Sequence, residues 1–450
     1  MTTDPSSPTT IEQACAIIVD AAHFDDPGGW TIDTSCMETT VTPFLMAHGL
    51  GTPVADATTT VRLPTAGRWQ VWVRTYDWVA RWQAPGTPGR FAVLIDNQPL
   101  TPSFGTTGTS WGWQNGGMVK VDQPIVRVTL RDHTGFNGRC QAICFSRHPE
   151  GLPPPDDPRR WPQPDTAHLT GDEPPCRYDL VVVGGGYAGM CAALMAAHCG
   201  LTVALIQNRQ LLGGNASSEI GVPLRGLPLA GGRFPWQGTC VAAMQYDDAP
   251  DARLPDERSD AHHLRIIAAT EGIDLFLEHA LYEGTTDTGH IRSIRVRHVR
   301  GGQVRTIEAR LFADCTGHAT LGALAGADHI IGTGADPTTD REHPLMGMTN
   351  KWSWEMDDQP LPAPDMPWAL DMDITGIPAA YLRQAWRWES GFYRHPINDL
   401  EHIRDTNLRA LFGAWQAMKQ LPEYANARLT HVAAIGGPRE SRRLIGDVIL

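Results

Sequence analysis

Three glycines, Gly184, Gly186 and Gly189, stand in GxGxxG register within VVVGGGYAGM. Residues without side chains at this spacing suit one task, bringing main-chain amides against a charged group that a Cβ would hold away. Gly184 permits a tight turn out of a strand, and Gly186 leaves the backbone bare for a diphosphate. Gly189 lets the following helix pack close to the strand, helped by Ala192, Ala193, Ala196 and Ala197. Tyr187 and Ala188 open that helix, where free N–H groups face two phosphate charges. The helix dipole adds ~0.3–1 kcal/mol per favourable contact. A lone GxGxxG also arises in ordinary glycine-rich loops, so its weight depends on what surrounds it.

The surroundings are strand, helix, strand. Residues 179–183 form a short apolar run, 190–199 a small-residue helix ending at Gly200, and 201–206 a second strand. This context makes 178–214 the phosphate-binding unit of a dinucleotide-type Rossmann domain; the alternative is a purely structural glycine turn. The alternation predicts a parallel sheet. The second strand ends in Ile206-Gln207-Asn208-Arg209, where an acidic residue would accept from the adenosine ribose. Gln207 can accept one hydroxyl without charge assistance, which weakens NAD more than FAD, because FAD makes many further contacts. Arg209 suits a 2′-phosphate and keeps NADP open as a minor option. FAD is the favoured cofactor. Residues 291–311 read as a β-hairpin, with Ile294 and Val296 on one arm, Val304 and Ile307 on the other, and Gly301-Gly302 at the turn. Helical patterns recur at 261–271, 379–389 and 399–420, and there is no internal repeat.

At 450 residues the chain predicts two or three domains. A hydrophobic content of 42% with 19% charged residues describes a globular protein. The net charge of −13 disfavours nucleic acid and anionic membranes as partners. No apolar run reaches a membrane span, and MTTDPSSPTTIEQ lacks the basic start and apolar segment of a secretory signal, which points to the cytoplasm. The nine cysteines are scattered; Cys140 and Cys144 are the nearest pair, and Cys191 and Cys199 share one predicted helix. No CxxC and no zinc-like spacing occurs, so reduced, mostly buried thiols and no metal are expected. Residues 1–148 alternate in short runs such as Trp69-Gln70-Val71-Trp72-Val73-Arg74, separated by turns such as Pro85-Gly86, and predict an all-β sandwich. Residues 149–176 are a proline-rich linker. Residues 177–450 are an α/β Rossmann-type FAD-binding domain, so the fold class is multidomain.

LIQNRQLLGGNASSEIG (205–221) resembles a family of FAD-dependent oxidoreductases in which the second strand runs into a Gly-Gly-Asn-Ala-Ser-Ser-Glu loop. The resemblance continues through FADCTGHATLGALAGAD (312–328) and IRDTNLRALFGAWQAMK (403–419) to GGPRESRRLIGDVIL (436–450). It implies that Gly213, Gly214 and Asn215 lie along the FAD, with Ser217 beside them, and that Thr316 and Gly317 close over the nucleotide from another strand. Gln at position 207 is not unusual there, whereas His318 stands where the family favours Asp. FLMAHGLGTPVADA (44–57) and DWVARWQAPGTPGRF (77–91) are similar to the β-domain that precedes the oxidoreductase domain in some bacterial members, sometimes labelled xanthan lyase. Members continue past the Pro438–Arg443 motif, so a chain stopping at Leu450 is expected to be truncated, a fragment or half of a split protein.

Flavin supplies hydride chemistry, and protein groups orient the substrate. In the 215–219 loop, Glu219 with Ser218 is the candidate base for a substrate hydroxyl proton; the alternative is a helix-start residue capped by Ser217. Arg439, Glu440, Arg442 and Arg443 form either a substrate- or cofactor-facing network or an internal ion-pair cluster. His262 and His263 point roughly 100° apart on a helix, which favours packing or solvation over a shared metal. Cys315 reads as a packed thiol in preference to a covalent flavin link. Trp69, Trp72, Trp78, Trp82, Trp111 and Trp113 supply either a sugar-stacking surface or packing; period two puts Trp69 and Trp72 on opposite faces, so at least one fills the core.

Together these readings predict an FAD-dependent oxidoreductase acting on a hydroxylated or carbohydrate-like small molecule, as a homo-oligomer or with a C-terminal segment missing. The rivals are a non-catalytic carbohydrate-binding protein with an incomplete nucleotide domain, and an NAD(P)-dependent enzyme.

Overall fold

The computed structural model describes residues 16–148, 150–161, 175–224, 239–244, 256–332, 345–362, 365–377, 382 and 388–448. Most of the helix expected over 379–389 and much of the proline-rich stretch lie outside the described residues, and Glu389, its expected last residue, instead begins the short strand Glu389–Ser390. The described residues fall into two compact units. One lies within Met1–Thr166, Glu355–Thr375 and Leu408–Thr430, the other within Ala167–Trp354, Gly376–Asn407 and His431–Leu450. The helix Leu400–Lys419, expected over 399–420, contributes to both.

The first unit is built on antiparallel sheets. Alternating β-branched and aromatic residues favour extended pleated backbone, and each strand turns one side chain in two toward the interior. One four-stranded sheet runs in the order Ala16–Asp20, Ala142–Ser146, Gly67–Thr75, Gly112–Val121. Another joins Ala57–Arg62, Ile125–Asp132, Phe91–Ile95 and Gln98–Pro99, and a three-stranded sheet joins Phe136–Cys140, Phe44–His48 and Thr31–Asp33. Val71, Ile143, Val128, Phe91 and Leu45, drawn from all three sheets, share one buried core. Trp69 and Trp72 are both buried: Trp69 shares the core with Val71 and Val73, whereas Trp72, of opposite parity, lies outside that core on the other face, which is buried as well. Trp78 is also fully buried. Its indole donates to the Phe136 carbonyl at 3.0 Å, and its ring lies edge-on to Trp368 at 5.1 Å. Trp368 meets Phe136 and Phe412 as well, at 5.1 and 5.4 Å, so these rings are packing elements.

The second unit holds a six-stranded sheet in the order Ile273–Phe276, Val203–Ile206, Cys176–Val183, Val304–Asp314, His290–His298, His279–Asp287. The first four strands are parallel, as the strand–helix–strand alternation predicts, and the last two pairings are antiparallel. The hairpin expected over 291–311 is present, with Ile294 opposite Ile307. Val181 and Val183 pack on one face with Ile294 and Val296, and Val182 on the other with Met190 and Leu205. Burial on both faces explains the unbroken apolar run of the fingerprint strand. The helix Glu257–Ala269 is fixed by a capping box, Asp256 accepting from the Arg258 and Ser259 amides, and buries Asp260, His263 and Ile267. Among the described residues no helix is long and apolar enough to cross a membrane.

Candidate functional site

Strand Cys176–Val183 lies between the strand that follows it in sequence, Val203–Ile206, and the later strand Val304–Asp314. Its carboxyl end is therefore the point where chain order reverses, the place where open parallel sheets form a ligand crevice. Gly184 leaves the strand at φ +110°, and a Cβ there would stand 2.2 Å from the Cys315 carbonyl oxygen. A Cβ on Gly189 would stand 1.8 Å from the Gly184 carbonyl oxygen, so this glycine closes the turn against the helix. Gly186 is different. It is the N-cap of helix Tyr187–His198, and a Cβ there would meet only Gly214 Cα, at 3.8 Å.

A second glycine-rich stretch lies alongside. Gly213 donates to the Gly185 carbonyl at 2.8 Å and forms a parallel bridge with Gly186. Gly213 and Gly214 both take positive φ, +111° and +62°. Bare backbone thus flanks the helix start on both sides. The amides of Tyr187, Ala188 and Gly189 have no acceptor within the helix, since first-turn donors never do. These residues fit a dinucleotide diphosphate: unclaimed donors at a positive helix end, with no side chain in the approach.

The side chains around this corner are largely committed to one another. Tyr187 turns its hydroxyl to His263 Nε2 at 3.1 Å, leaving its main chain toward the helix start. Gln207 is buried; its Oε1 accepts from the Gly185 amide and its Nε2 donates to the Leu211 carbonyl, both at 2.9 Å. It braces the fingerprint turn. Arg209 pairs with Glu219 at 3.0 Å. Ser217 donates to the Gly214 carbonyl at 2.8 Å, and Asn215 donates to the Pro438 carbonyl at 2.9 Å. Residues 218–220 form a turn, not the start of an α-helix, so Ser217 does not cap a helix at Glu219. Thr316 bonds through amide and hydroxyl to Asp314 Oδ1, at 3.0 and 2.7 Å, and Gly317 follows at φ +78° with open space beside it.

His318 meets Ser441 Oγ through Nδ1 at 2.8 Å, and Arg442 donates to the His318 carbonyl. Arg439 pairs with Glu389 at 3.1 Å, and Glu440 accepts from the Met346 amide at 3.2 Å, so part of the charged motif has internal partners. Cys315 packs in the core beside Met190 and Leu205, and burial raises its thiol above the usual range. His262 donates through Nε2 to the Ala243 carbonyl at 3.0 Å, and His263 is buried, in keeping with packing roles. No metal-holding cluster occurs among the described residues.

Sequence reasoning missed two groups. Asp260 is buried and accepts from the Ser218 amide at 3.1 Å, and burial raises its carboxyl above the usual range. The i, i+3, i+7 spacing of Asp260, His263 and Ile267 on one helix face was the available signal. Lys351 is also buried, donating to the Gly221 carbonyl. Nothing in its local sequence, MTNKWSW, announces that contact.

The sequence model of a family described as FAD dependent oxidoreductase matches residues 179–450. Among solved structures, a myxobacterial chondrochloren halogenase, a variant of FAD-dependent halogenases, is 17% identical over 42% of this chain and 46% of its own, with a TM-score of 0.28. The FAD complex of glycerol-3-phosphate dehydrogenase from Bacillus halodurans is 11% identical over 44% of this chain and 46% of its own, with a TM-score of 0.25. A family 35 carbohydrate binding module from Clostridium thermocellum is 14% identical over 29% of this chain and 96% of its own, with a TM-score of 0.23. The chain spans less than half the length of the halogenase and of the dehydrogenase. No protein of curated function matches the chain.

Proposed function

Because the chain belongs to the FAD dependent oxidoreductase family, we propose that it oxidises a hydroxylated, carbohydrate-like substrate, with FAD as the group that accepts the hydride. One observation carries this reading: Gly184–Gly186 and Gly213–Gly214 meet backbone to backbone beside unclaimed first-turn amides. In this reading the amides of Tyr187, Ala188 and Gly189 hold the diphosphate. Gly213, Gly214, Asn215 and Ser217 run along the nucleotide, Gln207 and Arg209 border its adenosine side, and Thr316 and Gly317 cover it. Glu219, with Ser218 beside it, takes the proton of a substrate hydroxyl, and its pairing with Arg209 fixes the carboxylate in place.

The N-terminal sheets are assigned as a sandwich of carbohydrate-binding kind. Trp82, Trp111 and Trp113 are half-buried and are the candidates for stacking a sugar, whereas Trp69, Trp72 and Trp78 are buried. The test is to reconstitute the purified chain with FAD, record its flavin absorbance, and add sugars and sugar alcohols without oxygen. Bleaching of bound flavin by a hydroxylated substrate supports the proposal. A colourless protein that binds oligosaccharides points to a non-catalytic binding protein. Stabilisation by NADPH but not FAD points to a nicotinamide enzyme.

A further inference from the structure

Lys351 follows the strand Met348–Thr349 and is only 3% exposed. Its ammonium donates to the Gly221 carbonyl oxygen, and its Cδ, Cε and Nζ lie 3.6 to 3.9 Å from where a Cβ on that glycine would stand. Gly221 closes the loop that begins at Asn215: its amide donates to Ser217, and the next amide, of Val222, donates to Asn215. Asn215 in turn bonds the Pro438 carbonyl, and Pro438 pairs with Met348 in the small sheet that leads to Lys351. The circuit is closed. The backbone beneath Lys351 is clamped too, with its carbonyl accepting from the Ala433 amide at 2.7 Å and Asn350 donating back to the Ala433 carbonyl at 2.9 Å.

Burying an ammonium is costly, and an apolar side chain of the same length would fill the space at lower cost. A buried cation held at a fixed point is favourable where negative charge develops nearby, because low dielectric extends its reach. Uptake of two electrons and one proton leaves a flavin ring with one negative charge, and protein charge near the ring tunes that equilibrium. We propose that Lys351 is a positioning residue that anchors the Asn215–Gly221 loop and sets a fixed positive charge in the wall of the flavin site, favouring the reduced cofactor. This rests on the flavin reading given above.

The test is the midpoint potential of the FAD-reconstituted full chain, compared with Lys351→Gln and Lys351→Arg. Glutamine keeps a donor for Gly221 without the charge; arginine keeps the charge. The glutamine variant is expected to shift the balance about tenfold toward oxidised flavin, ~30 mV more negative for a two-electron couple. The arginine variant is expected to stay near wild type. If glutamine does not fold, Lys351→Met takes its place with the same expected shift. Equal potentials in charged and uncharged variants overturn the proposal while leaving the cofactor assignment standing. A wild-type chain that takes up no FAD overturns both.

Discussion

The carbonyl oxygen of Gly184 occupies the position that a side chain on residue 189 would need, 1.8 Å from an ideal Cβ. Neither backbone can yield without opening the turn between strand and helix. Gly189→Ala is therefore expected to cost about 3 kcal/mol, through overpacking against main chain. Urea unfolding of the cofactor-free protein measures it, and a variant as stable as wild type would show that the turn relaxes.

Gly186 predicts the opposite pattern. Its missing Cβ faces open space apart from Gly214 Cα, and its φ of −72° suits any residue. Gly186→Val is expected to change cofactor-free stability by within about 1 kcal/mol while weakening FAD affinity about 100-fold, or ~2.8 kcal/mol. Titration of flavin fluorescence reads the affinity, and undiminished binding would move the diphosphate elsewhere.

Glu219→Gln separates a proton acceptor from a structural ion pair. The Arg209–Glu219 pair is partly exposed, so its loss is expected to cost about 1 kcal/mol or less. As the base, Glu219 is expected to lower kcat by ~10²–10⁴ when neutralised, with flavin retained. A near-normal kcat would assign the proton to another group.

The Tyr187–His263 pair predicts a pH dependence. Burial pushes the His263 imidazole down to about 4, against ~6.5 in an unfolded chain. The native state thus takes up this proton less readily than the unfolded one. The stability His263 contributes is full above pH ~6.5 and is lost as pH falls from there through 4, a loss of about 2 kcal/mol by pH ~4.5. Amide exchange in helix Glu257–Ala269 should quicken over that window in wild type, and the change should shrink in His263→Phe. Equal acid sensitivity in both proteins would assign the effect to other groups.

What the sequence disclosed follows from the range over which each constraint acts. Gly189 was legible because its clash, with the Gly184 carbonyl, lies within the turn the two residues build, and Gly184 because that turn needs its positive φ. The parallel strands followed from the alternation of short apolar runs with a small-residue helix. The bridge between Gly186 and Gly213 was not legible, since it joins backbones that no spacing rule connects. The two hydrogen bonds of Gln207 were equally hidden; residue type gives its capacity but not its direction. Trp72 keeps the strand's period, on the face opposite Trp69 and Val71; the alternation could not show that this second face is buried too. Lys351 shows the limit most clearly, because its loop partner Gly221 is 130 positions away.

The edge-to-face cluster of Trp78, Phe136, Trp368 and Phe412 joins early and late stretches of the chain inside one unit. The consequence is one of heredity: the opening third cannot be lost or exchanged by recombination without stranding two bulky aromatic rings in water. An isolated piece beginning at 177 is accordingly expected to sediment as aggregates, and the two stretches are tied to a shared evolutionary fate.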